Sequence, residues 1–552
     1  MFRWEILNTS NSLEELKEVI LKNRVGNLTT DDFLNPPAPV SFINKDYFSE
    51  DFLENLKKAK QLIFEAISED KLILIHGDYD SDGVCATSII LDTITKILNY
   101  NNVGYIIPDR FEDGYGLSDK TLQRLLDLAF NKNFLLITVD CGITAVSQIE
   151  KLKKLGNKVI VTDHHHKGEN IPNADAVVWS DKVVGSTLAW ILSLGLGNKN
   201  PEYLSISSIA TITDVFPLQD INRSIVSHGI NILRKKPPFF IAEMLRSLSK
   251  NKEEISTYDL GFVIGPRLNS SGRIGSANIA VEMITSNEAS KVSECVAIIN
   301  NNNIERQRIT SDSVDSIEID EKNIPEIIVS YNPSYHEGVM GLIASKILQK
   351  YNRPVLVISG EGDLLKGSAR SLEGINIVEI LSKAPELFIS FGGHAQAAGF
   401  SLKSQNLEIL KERILEIFRE IHSDFIFEKK IIIDSKIEAI LINEDLCSFI
   451  NTLEPFGSGN IEPIFNTNGF QISEIKFIGA EKNHLSLKLS LNNIFYKAIF
   501  FNFEKNKYPE LYLGQKIDII YKVKTNIFNG KKNIDLHLID IKNAWNTKKL
   551  FD

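Results

Sequence analysis

Three carboxylates at alternate positions mark the segment LILIHGDYDSDGVCATSII. An apolar run ends at His76, and Asp78, Asp80 and Asp82 follow before Gly83 turns the chain into a helix. Carboxylates this close repel one another, and a bound cation removes that cost. DYDSDG also matches the opening of an EF-hand calcium loop. The twelfth position counted from Asp78 is Ile89, however, where a bidentate Glu is required, and a strand rather than a helix precedes the loop. The calcium-loop reading fails.

Two further apolar runs end in the same kind of residue. FLLITVDCGIT carries Asp140 at its end with Gly142 just after it, and NKVIVTDHHHKG carries Asp163, His164, His165 and His166. ISSIATITDVFPL sets Asp214 after an apolar helical run. Singly these are weak, since an aspartate at a strand end is usually a helix N-cap and a DHH tripeptide is short. Together, imidazoles and carboxylates in this number exceed what one ion needs and suit two divalent ions, Mn²⁺ or Mg²⁺.

The elements that would position them follow from hydrophobic period. KLILIH, VGYIIP, FLLITVD, NKVIVTD and ADAVVW read as buried strands with amphipathic helical stretches between them. Strands apolar on both faces that alternate with helices predict an open parallel sheet covered on both sides. Ligands bind such sheets at the carboxyl ends of the strands. His76 to Asp82, Asp140 and Asp163 to His166 therefore converge on one rim.

Downstream the pattern turns helical and polar, then mixed again with strands (EIIVS, PVLVIS) and the glycine-rich segments KGSARS and FGGHAQAAGF. Past Ser423 come GFQISEIKFIG, HLSLKLSL, IFYKAIFFN, KIDIIYKVKT and NIDLHLIDIK, five alternating strands that fit a small closed barrel of the OB type. The expected organisation is α/β. An N-terminal segment spans residues 1–55, a parallel-sheet catalytic domain 56–228, connecting helices 229–320, a smaller α/β substrate-binding domain 321–425 and an OB-fold β-barrel 426–552.

KGSARS offers Lys366, Ser368 and Arg370 at alternate positions; in an extended segment they share one face, as a phosphate clamp needs. The alternative for these charges is a surface salt bridge. His394 stands among small residues in FGGHAQAAGF, beside Gly392 and Gly393, where a ring can reach a phosphate next to exposed backbone N–H groups. His336 in YHEGVMG is a weaker case of the same kind. In the barrel strands Phe and Tyr interleave with Lys, which suits stacking on bases, although aromatics in strands are more often core.

Composition sets the outer limits. The chain has 552 residues, 43% apolar and 24% charged, enough for several cores. With 61 basic against 71 acidic residues the net charge is −10, so any nucleic-acid contact must use local patches. The four cysteines, Cys85, Cys141, Cys295 and Cys447, show no C-x-x-C spacing, which argues against a zinc ribbon or a disulfide framework. The N-terminal MFRWEILNTSNSLEELKEVI lacks a signal-peptide pattern. The uncharged stretch Val183–Asn198 is shorter than a spanning helix and reads as a buried one. A cytoplasmic protein without membrane contact is expected.

HGDYDSDG, TVDCGIT, TDHHH and TITDVFPL resemble, in order, the four metal-binding motifs of the DHH phosphoesterase family, and nearly the whole chain resembles its single-strand-specific exonuclease branch. The resemblance implies that His76, Asp80, Asp82, Asp140, His164 and Asp214 are metal ligands, with Asp140 shared between two ions. His165 would lie against the scissile phosphate and Asp163 would orient a neighbouring imidazole. Asp78 stays open between ligand and orienting neighbour. RFEDGYGLS supplies Arg110 and Tyr115, and GPRLNSSGRIG supplies Arg267, Asn269 and Arg273, as substrate contacts; NNNIERQR follows in the connecting helices. YHEGVMGLIASKI, KGSARS and FGGHAQAAGF resemble the DHH-associated domain that grips substrate.

The chain departs from that branch at flanking positions. His166-Lys167-Gly168 stands where Leu-Pro is common, Ser270-Ser271 replaces paired alanines, Lys346 stands for Arg and Tyr335 for Trp. The resemblance implies a 5′→3′ exonuclease on single-stranded DNA that releases 5′-mononucleotides in recombination and repair. It also implies single-strand-binding protein and a helicase as partners; a monomer is the default. A phosphoesterase of small oligonucleotides or cyclic dinucleotides and a non-catalytic DNA-binding scaffold are the alternatives; the barrel argues against the first and the full ligand set against the second.

Overall fold

The computed structural model describes residues 2–26, 28–479, 481–508, 511–528 and 531–544. The chain divides into two compact units, one made of residues 1–37, 217–223 and 428–552, the other of residues 38–216 and 224–427.

In the larger unit the five apolar runs form a five-stranded, all-parallel sheet. Its order is Val103–Ile106, Ile73–His76, Leu135–Val139, Lys158–Asp163, Ala176–Trp179. The three inner strands are almost wholly buried because helices cover both faces. On one face Leu122 and Leu125 of the helix Asp119–Leu128, with Ile149 and Leu152 of Val146–Lys154, pack on Leu74, Leu136, Val159 and Val161. The helices Ser81–Asp92, Gly185–Gly195 and Glu202–Thr213 pack on one another and contribute to the opposite layer. Gly185–Gly195 is the buried helix expected from the uncharged stretch.

A helical run, Thr257–Asp259, Leu260–Ile264 and Gly265–Ile274, then lies against the 27-residue helix Ala289–Asp315. A second sheet follows in the order Phe388–His394, Ala397–Lys403, Leu364–Arg370, Val355–Ser359, Ile328–Tyr331. It is antiparallel except at the last pair. The strand Leu364–Arg370 buries Leu365, Gly367 and Ala369 and leaves Lys366, Ser368 and Arg370 together on the half-exposed face, as the period of two requires.

The smaller unit holds a closed five-stranded barrel. Phe465–Ile478 pairs on one side with Lys516–Phe528 and on the other with His484–Leu491, and the circuit runs on through Ile494–Phe500 and Lys531–Asn543. Bulges in Phe465–Ile478 and Lys531–Asn543 give the bending that closure needs. Residues from the start of the chain join this unit: Arg3–Ile6 pairs with Lys430–Ile433, and Thr9–Ser10 with Ser435–Ile437. Arg223, fully buried, ties its pieces together by donating to the carbonyls of Phe33, Leu453, Glu454 and Pro455. The interleaved barrel aromatics divide by strand side. Tyr496, Phe500 and Tyr521 are core, whereas Phe495 and Phe501 face outward. The four cysteines are unpaired and buried. Among the described residues no helix is long and apolar enough to cross a membrane.

Candidate metal centre

The loop after Ile73–His76 is held by its own carboxylate. Asp80 caps the helix Ser81–Asp92, its Oδ1 accepting from the backbone N–H of Asp82 at 2.9 Å and of Gly83 at 3.0 Å. Gly83 is required here, because a Cβ would fall 2.5 Å from the Asp78 backbone. The backbone N–H of Ser81 donates to Asn269 Oδ1 at 2.8 Å, so the helical run Gly265–Ile274 fixes the same loop.

Asp82 accepts from two backbone N–H groups at the start of the helix Gly185–Gly195, Gly185 to Oδ2 at 2.6 Å and Ser186 to Oδ1 at 2.9 Å. Asp140 sits at the end of Leu135–Val139 with φ of +61°, a left-handed conformation that aims its side chain into the rim. Asp163 ends the next strand. Its Oδ2 accepts from the N–H of Ile143 at 2.9 Å, and its Oδ1 accepts from the N–H of His164 at 2.7 Å and of His165 at 3.0 Å. The same Oδ1 lies 2.8 Å from His165 Nδ1. Asp214 caps the carboxyl end of Glu202–Thr213 and reaches the rim from a helix rather than a strand.

These side chains gather into three overlapping sets whose donor atoms lie within 4.8 Å of one another: Asp78, Asp80 and Asp140; Asp82, His164 and Asp214; Asp140, His164 and His165. Asp140 and His164 each belong to two of the sets, an arrangement suited to two adjacent ions. His164 Nε2 is 3.0 Å from Asp140 Oδ1, 3.7 Å from Asp82 Oδ2 and 3.8 Å from Asp214 Oδ2. His76 lies on the same rim, its Nδ1 3.4 Å from Cys141 Sγ. Yet His76 Nε2, Asp78 Oδ1 and Asp140 Oδ1 are buried without a hydrogen bond. Buried acceptors are not normally left bare, so this donor set fits divalent cations.

Electrostatics agree. Burial pushes the Asp78 carboxyl up to about 8, with the charge of Asp80 adding to it. Burial beside Asp82 and Asp80 likewise lifts Asp214 to about 8, and Asp140 is raised for the same two reasons. Burial lowers His76 to about 4 and also lowers His164, leaving both imidazoles neutral and free to coordinate. His165 goes the other way. Burial opposes its charge, but the hydrogen bond and charge of Asp163, helped by Asp78 and Asp80, raise it to about 9.

Around this centre lies a cationic wall. Arg110 stacks over the Tyr79 ring at 4.1 Å, and its buried Nε has no hydrogen-bond partner. Arg273 donates from Nη1 to the Gly338 carbonyl at 3.1 Å. Burial and the charges of Arg110, Arg306 and Arg370 push Arg273 down to about 10, which places four guanidiniums in one neighbourhood. Arg370 Nη1 donates to Ser368 Oγ at 3.2 Å. Lys366 pairs with Glu337 at 2.7 Å. Tyr115, half exposed, places its hydroxyl 2.9 Å from His165 Nε2. His336 accepts the Gly338 N–H on Nδ1 at 3.1 Å, and His394, in the hairpin with Gly392 and Gly393, faces the His166 ring at 5.2 Å.

Arg267 stands apart from this wall in its bonding. Its Nε donates to Asn300 at 2.8 Å and its Nη1 to the Val263 carbonyl at 2.7 Å, joining helix to helix. Three participants escaped the sequence reading: Tyr79 beneath Arg110, the Gly185–Ser186 amides on Asp82, and Trp179, whose Nε1 donates to the His165 carbonyl at 2.8 Å. Only Tyr79 carried a signal, an aromatic inside the carboxylate loop.

Three family models match the chain in order: the DHH family N-terminal domain over residues 72–213, the DHHA1 domain over 325–420 and the RecJ OB domain over 433–540. The single-stranded-DNA-specific exonuclease RecJ of Bacillus subtilis is 32% identical over 92% of this chain, and the chain spans 65% of that relative's length. The RecJ of Haemophilus influenzae is 31% identical, over 90% of this chain and 92% of its own length. Among solved structures, Thermus thermophilus RecJ in complex with Mn²⁺ superposes with a TM-score of 0.81 at 26% identity, covering 98% of this chain and 80% of that one. An exonuclease RecJ bound to manganese superposes with a TM-score of 0.58 at 30% identity, covering 67% of this chain and 95% of that one.

Proposed function

Since this chain belongs to the RecJ family of DHH phosphoesterases, we propose that it is a metal-dependent exonuclease that degrades single-stranded DNA from the 5′ end and releases 5′-mononucleotides. The observation that carries the reading is the set of buried acceptors of His76, Asp78 and Asp140 that no hydrogen bond satisfies, on a sheet rim beside an arginine cluster. Cations complement the first of these surfaces and a phosphate the second.

In this reading His76, Asp78, Asp80, Asp82, Asp140, His164 and Asp214 would hold two Mn²⁺ or Mg²⁺ ions. Such ions make a water acidic enough to attack at neutral pH and offset charge on the phosphoryl oxygens. The protein's own part is positional. The amides of Gly185 and Ser186 hold Asp82, and Asn269 holds the carboxylate loop through Ser81. Asp163 keeps His165 protonated, and the imidazolium donates from Nε2 to a phosphoryl oxygen of the scissile group, with Tyr115 as its alternative partner. Arg110, Arg273 and Arg370, with Ser368, take the terminal phosphate, and the hairpin carrying His394 lies along the strand. Lys366 and His336 would add substrate contacts, whereas Arg267 and Asn269 serve it from behind by holding the helical run and the carboxylate loop.

Residues 56–228 then carry the chemistry, 229–320 connect, 321–425 grip the substrate and 426–552 bind nucleic acid, with 1–55 as the N-terminal segment. A cytoplasmic monomer, working with single-strand-binding protein and a helicase in recombination and repair, is the setting such an activity fits.

The test is a long single strand labelled at either end, incubated with the protein and Mn²⁺ beside a matched blunt duplex. Stepwise mononucleotide release from the 5′ end of the single strand alone supports the reading. Turnover of a dinucleotide with no attack on the long strand moves the chain to the small-substrate phosphoesterases and refutes it.

A further inference from the structure

Two aromatic side chains with no role in the centre above stand out at the surface. Tyr258 is 64% and Phe262 69% exposed, and their rings stack on each other at 5.0 Å with only 24° between planes. Water-exposed aromatic pairs that cover no core are costly to keep, and a stacked pair presents a flat π-face outward.

Their place in the fold connects them to the centre. Both belong to the helical run that continues to Ile274, and the turn Leu260–Ile264, which carries Phe262, is wider than an α-helical one. Tyr258, Phe262, Pro266, Asn269 and Arg273 recur at helical spacing, and all five are at least half exposed or intermediate in burial. They form one stripe. At its far end Arg273 sits among the guanidiniums, and Asn269 touches the metal-site loop through Ser81. From Phe262 to Arg273 the stripe is about 16 Å long at the helical rise, the span of a few nucleotides. The run packs against the helix leading into Asp214, because a Cβ on Gly265 would overlap Thr213 and one on Gly261 would fall 3.2 Å from Ile212.

The segment leading into the pair is tied down by its own polar side chains. Lys250 bonds Asp259, Arg234 bonds the Ile255 carbonyl and Lys252 bonds the Lys235 carbonyl.

We propose that the Tyr258–Phe262 pair is a stacking platform for unpaired bases of the substrate strand, outside the catalytic cleft and continuous with it along the helical stripe. Stacking of this kind tolerates any base and excludes paired ones, so the platform recognises single-stranded nucleic acid by its exposed π-faces. The inference rests on the exonuclease reading for its substrate.

Steady-state cleavage by Tyr258→Ala/Phe262→Ala on a strand of ~30 nucleotides and on a dinucleotide tests it. KM on the long strand should rise about tenfold or more, with kcat and dinucleotide turnover unchanged, and Tyr258→Trp/Phe262→Trp should keep the wild-type KM. An unchanged KM on the long strand, an equal loss on both substrates, or a concentration-dependent dimer that the alanine variant abolishes overturns the platform. Failure of the wild-type protein to cleave any single strand sinks the exonuclease reading instead, which separates the two.

Discussion

Asp163 holds one edge of the His165 ring and leaves the other free: Oδ1 lies 2.8 Å from Nδ1, and Nε2 points to the Tyr115 hydroxyl at 2.9 Å. The carboxylate is itself immobilised by three backbone N–H groups, so it offers the ring a fixed acceptor. In the proposed reading this fixed imidazolium turns its one outward donor to a phosphoryl oxygen.

Asp163→Asn removes the negative charge that supports the imidazolium while the burial opposing it remains. His165 should fall from about 9 to below its ordinary 6.5. Cleavage should drop ~10–100-fold and its alkaline limb should shift to lower pH. The raised His165 contributes stability that is complete below 6.5 and is lost as pH rises through about 9, so the variant should be less stable across neutral pH. A pH–rate profile identical to wild type would remove Asp163 from this role.

Asp78 and Asp214, both near 8, hold protons at neutral pH in metal-free protein. Between their ordinary 3.8 and about 8 the folded state binds more protons than the unfolded one, so metal-free stability falls as pH rises through that window. Cations displace these protons. The rise in Tm on adding Mn²⁺ should therefore be larger at alkaline than at mildly acid pH, and calorimetric binding heats should vary with the buffer's ionisation enthalpy. Heats independent of buffer would show that no proton is released.

Gly185→Ala places a methyl group 2.5 Å from Asp140 Oδ1, in a buried spot where neither can retreat. A loss of roughly 1–3 kcal/mol in denaturant unfolding is expected, with a smaller Mn²⁺-induced Tm shift. Wild-type values for both would mean that Asp140 has room to move.

Arg370→Ala should raise KM for a 5′-phosphorylated strand about 10–100-fold and affect a 5′-hydroxyl strand less. Arg370→Lys should recover only part of the loss, because an ammonium cannot make the bidentate contact. Equal effects on both ends would place Arg370 away from the terminal phosphate.

Asp140→Ala and Asp80→Ala should each cut cleavage roughly 100-fold or more while single-strand binding persists in a gel-shift assay. Normal cleavage by both variants would refute the assignment of the centre.

Much of this was legible because burial writes itself into composition. The five parallel strands read as apolar runs since helices shield both faces, and His76, Asp140 and Asp163 were identifiable because strand ends of such a sheet share a rim. Alternation likewise located the barrel strands and put Lys366, Ser368 and Arg370 on one face. Those are local periods, set by neighbours a few residues away. Tertiary structure alone decided the rest: the Gly185 and Ser186 amides on Asp82, Tyr79 under Arg110, Tyr115 on His165, and the stripe that carries Tyr258 and Phe262 to Arg273. It also decided that Arg3–Ile6 pairs with Lys430–Ile433 and which barrel aromatics turn inward. Each of these is a contact between residues distant in sequence, and a one-dimensional pattern of polarity records that a group is buried or charged without recording which partner meets it.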